Sequence, residues 1–125
     1  SPTSSAVLIV DEGKILVGKR RDGNGFCGPG GHIEDGESPE RAARRELGEE
    51  FNITAKNLIP LGTLDGLPDE YGIPFVFLCD EYSGKPKCDG VEMENEQFLS
   101  LEELNELPLF EPFAQSLNRL LEVIA

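Results

Sequence analysis

The sequence predicts an α/β (α+β) fold in which a mixed β-sheet is sandwiched between α-helices. Three observations carry that expectation: two β-type runs about a tight turn at the start, a helix opening on Ser-Pro in the middle, and an amphipathic helix at the end. With 125 residues the chain reads as a single domain, residues 1–125, long enough to bury about two-thirds of its unfolded surface.

Each element has its own signal. AVLIV (6–10) and KILVGKR (14–20) flank Asp11, Glu12 and Gly13, the pattern of a β-hairpin. The stretch RRDGNGFCGPGG (20–31) holds five glycines and a proline; it predicts an irregular loop, either closing around a ligand or merely lying on the surface. Ser38 can cap a free N–H and Pro39 fits a first helical turn, so a helix is expected from there to about Phe51. Ala43, Leu47 and Phe51 form its apolar stripe, which leaves the glutamates of RRELGEE (44–50) facing outward.

Beyond the helix, residues 52–64 and 72–82 predict two strands joined by the polar connection DGLPDEY (65–71), with Phe75 and Phe77 on one core-facing side. A short strand at 96–100 and a turn of helix at 101–108 come next. Phe113, Leu117, Leu120, Leu121 and Ile124 then repeat at helical spacing over 110–124, the expected terminal helix. The resulting order is β-β-loop-α-β-β-β-α.

Composition narrows the function classes. The chain has 24 acidic and 11 basic residues, a formal charge of −13, which opposes binding to nucleic-acid phosphates or anionic membranes. A polyanionic ligand could then approach only with a cation's help. Cys27, Cys79 and Cys88 form no CxxC pair and are odd in number, so they read as reduced thiols in a cytoplasmic protein. SPTSS at the start lacks the charged and apolar regions of a signal peptide, and no run approaches the roughly 20 apolar residues of a membrane span.

RRELGEE carries the chemistry. Glu46, Glu49 and Glu50 stand three and four residues apart, where like charges on a helix each cost roughly 0.2–0.5 kcal/mol. One explanation is a solvated face partnered by Arg41, Arg44 and Arg45. The other is a cage for a hard divalent cation such as Mg²⁺, whose charge offsets the repulsion.

The surrounding segment GHIEDGESPERAARRELGEEFNI (31–53) resembles the Nudix box, G-x5-E-x7-R-E-U-x-E-E-x-G-U with U a bulky apolar residue. Gly31, Glu37, Arg45, Glu46, Leu47, Glu49, Glu50 and Ile53 match; Asn52 stands in place of the glycine, and asparagine is the best substitute at a left-handed helix end. The chain is thus identified as a member of the Nudix hydrolases, and its tail is similar to that of small MutT-like members.

The resemblance implies the Nudix fold and hydrolysis of a nucleoside diphosphate linked to a group X with Mg²⁺ or Mn²⁺. It implies that Gly31, Glu46, Glu49 and Glu50 hold metal, with Glu46 as a candidate base, and that Glu37 and Arg45 pair to hold loop against helix. An extra acid outside the box is expected among Asp89, Glu92, Glu94 and Glu96, with Glu92 or Glu94 favoured. His32 reads as a strand residue near the substrate, and Lys19, Arg20 and Arg21 as possible phosphate contacts or a solvated strand end.

The substrate expected first is a (d)NTP, cleaved to a nucleoside monophosphate and pyrophosphate. ADP-ribose or another nucleotide sugar, or a dinucleoside polyphosphate, is the alternative. A non-catalytic nucleotide-sensing module is the rival from another class, against which stands the retention of all four box acids. No nucleic-acid or membrane partner is expected, and the chain should be a monomer or homodimer.

Overall fold

A computed structural model describes all residues, 1–125. Strands β1 (Ser4–Asp11) and β2 (Lys14–Arg20) form the expected hairpin, pairing Val10 with Ile15 and Asp11 with Lys14. Its two-residue turn puts Glu12 and Gly13 at φ 50° and 76°, the double positive φ of a tight hairpin turn. Past that turn the two strands diverge. The free edge of β1 pairs antiparallel with β4 (Gly30–His32), while β2 pairs with β3 (Phe26–Cys27) and β9 (Met93–Leu99). On its other edge β1 runs parallel to β7 (Pro74–Cys79), which pairs antiparallel with β6 (Ile59–Thr63). The sheet is therefore mixed and splits where the glycine run enters it.

Helix α1 (Pro39–Phe51) packs on β1 and β4, and α3 (Glu111–Ile124) covers the sheet from β1, β3, β6 and β7. One core joins them, with Val7, Leu8, Ile9, Leu16, Val17, Leu47, Phe51 and Val76 almost fully buried. Adjacent residues of β7 are buried alternately and in tandem (Val76, Phe77), as suits a central strand covered on both faces. The two expected phenylalanines thus differ: Phe77 is core and Phe75 only half-buried. No helix is long and apolar enough to cross a membrane. All three cysteines are free.

Several expectations need correction. The glycine-rich loop contains β3 and β4. The strand expected at 52–64 is two, β5 (Thr54–Ala55) and β6, because Asn57 turns the chain between them: its side-chain carbonyl accepts the backbone N–H groups of Asp80 and Glu81 at 3.2 and 3.1 Å. Residues 72–82 likewise divide into β7 and β8 (Tyr82–Ser83), the latter paired with β5. Strand β9 starts at Met93, earlier than expected, and bulges against β2 around Asn95, whose φ is 58°. Helix α2 spans only Leu101–Asn105, opened by a reciprocal Ser100–Glu103 capping box. On α3, Leu121 and Ile124 lie beyond the buried stretch that ends at Leu120 and are exposed.

Candidate active site

Why β4 is glycine follows from what lies on either side of it. A Cβ on Gly30 would sit 2.6 Å from the Ser5 carbonyl oxygen, and one on Gly31 would sit 2.6 Å from the Glu46 carboxylate. Both are closer than side chains tolerate, so the glycines let β1 and α1 close on β4 from two directions. Ser5, buried on β1, donates its hydroxyl to the Pro39 carbonyl at 2.6 Å and fixes the start of α1 to the sheet.

Helix α1 has the caps its sequence predicts. Ser38 accepts the Arg41 N–H at 3.2 Å, and Asn52 ends the helix at φ 59°, ψ 38°, the left-handed conformation expected of the residue replacing glycine. Its glutamates do not all look outward, contrary to the sequence reading. Glu46 and Glu50 are 9% and 7% exposed, tucked beneath β4, and only Glu49 faces solvent. The physical reason is the missing glycine side chains, which open space for two carboxylates between helix and strand.

Arg45 organises the charge. It makes paired hydrogen bonds to Glu37 (Nε to Oε2 2.8 Å, Nη2 to Oε1 3.0 Å), and donates to the His32 carbonyl at 2.9 Å and to Glu46 Oε1 at 2.7 Å. Glu49 reaches the same guanidinium at 3.3 Å. The expected Glu37–Arg45 bridge between loop and helix is present, and the guanidinium beside Glu37 lowers that carboxyl to about 2.

Glu50 has no such cation. Its one donor is the Gly30 N–H at 2.9 Å. Burial pushes its carboxyl up to about 8, and the charges of Glu46, Glu92 and Asp89 push the same way against the Gly30 bond. Glu46 is also raised by burial, opposed by Arg45.

This donor set fits a hard divalent cation. It offers carboxylate oxygens, one of them buried with no balancing positive charge, which a cation would supply. No three acids converge as a ready-made cluster, and Glu46 and Glu49 both pair with Arg45. Gly31, Glu46, Glu49 and Glu50 are nonetheless the residues that could hold a metal.

Among acids outside the box, Glu92 lies on the cavity against this wall, whereas Glu94 reaches toward Arg21 at 4.0 Å and Glu96 accepts the Cys88 N–H at 2.6 Å. Asp89 is occupied by three backbone N–H groups, those of Val91, Glu92 and Met93. His32 is exposed at the end of β4 and borders the same cavity.

The cavity encloses about 890 Å³ and runs from Glu50 and the Gly28–Gly31 run to Arg20, Tyr71 and Phe110. Tyr71 and Phe110 were not singled out in the sequence; the signal available was two aromatics among polar connections, and long-range folding alone unites them. Lys19 is exposed and stays outside the lining, Arg20 is half-buried within it, and Arg21 donates to the Gly90 carbonyl.

Comparison with known proteins agrees with this geometry. The NUDIX domain family matches residues 1–121. An oxidized purine nucleoside triphosphate hydrolase of Danio rerio is 30% identical over 118 residues, covering 89% of this chain and 72% of that protein. The Escherichia coli 8-oxo-dGTP diphosphatase is 36% identical over 96 residues, 74% of this chain and 73% of its own. A Bacillus subtilis ADP-ribose pyrophosphatase is 42% identical over 90 residues, 66% of this chain but only 48% of that protein. Among solved structures, a MutT NUDIX hydrolase from Burkholderia pseudomallei superposes with a TM-score of 0.84 at 26% identity, covering 94% of this chain and 96% of its own. The glycine strand, the box helix and this match over nearly the whole chain lead to one conclusion: the protein belongs to the Nudix family and is a hydrolase of phosphoric anhydride bonds.

Proposed function

We propose that the protein hydrolyses a (d)NTP to a nucleoside monophosphate and pyrophosphate, with Mg²⁺ or Mn²⁺ held by Gly31, Glu46, Glu49 and Glu50. The observation that carries this reading is the buried pair Glu46 and Glu50 beneath a strand of glycines, with Glu50 lacking any cationic partner. Two relatives named for nucleoside triphosphates, each covered over more than two-thirds of its length, support the substrate class.

Attack on a polyphosphate is limited mainly by accumulating negative charge, and a divalent metal supplies both charge neutralisation and a more acidic bound water. The chain's own residues divide the remaining work. In this reading Glu46, Glu49 and Glu50 take up the positive charge, and Glu46 also accepts a proton. Arg45 and Glu37 are positioning residues that fix loop 32–38 against α1 and hold Glu46 in place. Glu92 is the further acid bordering the cavity.

A second reading, ADP-ribose or another nucleotide sugar, has the support of the 42% identity to an ADP-ribose pyrophosphatase. One assay separates the two. Each dNTP and ADP-ribose is incubated with the chain, with and without Mg²⁺, and products are resolved by ion exchange. The first reading expects Mg²⁺-dependent pyrophosphate release from triphosphates. Release of orthophosphate alone would overturn the cleavage position, and turnover of ADP-ribose with none of dNTPs would favour the second reading.

A further inference from the structure

Residues 84–92, between β8 and β9, are fastened to the end of the box helix. Lys87 and Asp89 donate their N–H groups to the Phe51 and Glu50 carbonyls at 2.9 and 3.0 Å, two of the last acceptors of α1, which no further helical turn follows to satisfy. Asp89 is thereby bonded to the backbone of Glu50 itself. Its side chain turns back on the loop: one oxygen, Oδ1, accepts the N–H groups of Val91, Glu92 and Met93 at 2.9, 3.0 and 3.1 Å. A side chain here takes the place of a backbone acceptor and closes the turn.

Arg21 holds the same turn from the other side. Its N–H donates to the Glu92 carbonyl at 3.0 Å, and its guanidinium donates to the Gly90 carbonyl. Both backbone polar groups of Glu92 are therefore committed, the N–H to Asp89 and the carbonyl to Arg21. What this framework presents is the Glu92 side chain, exposed and bordering the cavity. Burial is the first cause that raises Glu46 and Glu50, and the Glu92 charge adds to it at both. On an unpinned loop that carboxylate would be spread over many positions; fixing its backbone confines it to one.

We propose that Asp89 is a positioning residue: its Oδ1 sets the backbone of Glu92 and its N–H ties that turn to Glu50, so that the loop acid and the box acids face the cavity in one register. This rests on the reading of Glu46, Glu50 and Glu92 as acids that serve hydrolysis. Asp89 acts by geometry and not by charge, so a side chain offering the same oxygen should replace it.

The test compares Asp89→Ala, Asp89→Asn, Glu92→Gln and the double variant Asp89→Ala/Glu92→Gln, by turnover in Mg²⁺ and by amide hydrogen exchange without metal or substrate. Glu92→Gln should lower kcat about tenfold or more, and Asp89→Ala by a similar factor. Asp89→Asn keeps the acceptor and should stay within about threefold of wild type. The double variant should lie within about twofold of Glu92→Gln, because no acid is left to misplace. In exchange, Asp89→Ala should release the amides of residues 91–93 about tenfold faster, while Asp89→Asn holds them.

An Asp89→Asn variant as slow as Asp89→Ala would show that the charge matters and overturn the positioning role. Losses that multiply in the double variant, or a Glu92→Gln variant of wild-type rate, would overturn it too. Melting curves identify an Asp89→Ala chain that fails to fold, and Asp89→Asn with Glu92→Gln then decides. Turnover of ADP-ribose with none of dNTPs would defeat the proposed substrate instead; the same variants are then compared on ADP-ribose, where the same pattern upholds Asp89 and any other overturns it.

Discussion

Helix α1 buries two faces of opposite character. Toward the sheet it presents Ala43, Leu47 and Phe51, each wholly buried; toward β4 it presents Glu46 and Glu50, nearly as buried. Apolar burial is favourable by itself, at roughly 25 cal/mol per Å². Carboxylate burial is not, and it persists because Arg45, the Gly30 N–H and the glycine backbone partly compensate. One face holds the fold together, and the other stores a demand for positive charge.

Breaking the first face should have the largest effect. Leu47→Ala removes fully buried atoms and leaves a cavity, so unfolding should be easier by about 2–5 kcal/mol, read as a lower urea midpoint at unchanged slope. A loss below about 1 kcal/mol would show that this face does not dominate stability.

Glu50→Gln probes the other face with the opposite sign. The amide keeps the shape and cannot ionise. Burial holds the folded Glu50 carboxyl protonated up to about 8, while the unfolded chain ionises it near its ordinary value, so at pH 7 the metal-free variant should melt no lower than wild type. Turnover should fall at least about a hundredfold, near 2.7 kcal/mol, and the gain in stability on adding Mg²⁺ should shrink. Near wild-type turnover with full Mg²⁺ stabilisation would remove Glu50 from the site.

The contrast also separates what the sequence could disclose from what it could not. The apolar face is periodic, the cap residues are local, and the box acids stand at fixed spacing, so helix, caps and acids were all legible. Which glutamates are buried depends on β4, three residues that become a strand only by pairing with β1, some 25 positions away in the chain. Propensity cannot announce a strand of Gly-Gly-His. The same holds for the cavity's aromatic wall: Arg20, Tyr71 and Phe110 come from three distant segments. Strand β9 extends beyond its sequence signal because MENEQFL buries only its ends and is polar between them.

Gly31→Ala sharpens the comparison where the two layers meet. The new methyl would fall 2.6 Å from the Glu46 carboxylate, so either Glu46 leaves its place beneath β4 or the strand shifts. Overpacking of this kind costs roughly 1–3 kcal/mol, and here it should appear in turnover as well as in stability because Glu46 moves. A variant of wild-type activity would mean that Glu46 can act from a displaced position.

The smallest effect belongs to the clamp on the acidic face. Glu37 is held well below its usual range, to about 2 against an ordinary 4.5, first by its hydrogen bonds with Arg45 and then by the Glu34 N–H. Its folded carboxyl loses its proton more readily than the unfolded one, so the contribution to stability is full above about 4.5 and disappears as pH falls through about 2. Glu37→Gln should therefore melt slightly below wild type at pH 7, with the two curves converging as pH approaches 2. Salt should narrow the gap at pH 7 as well, because the pair is within reach of solvent. The Arg45 bonds to the His32 carbonyl and to Glu46 would remain in the variant, so turnover should drop far less than in Glu50→Gln. A melting difference independent of pH would show that Glu37 acts through packing rather than charge, and that the acidic face needs no clamp from the loop.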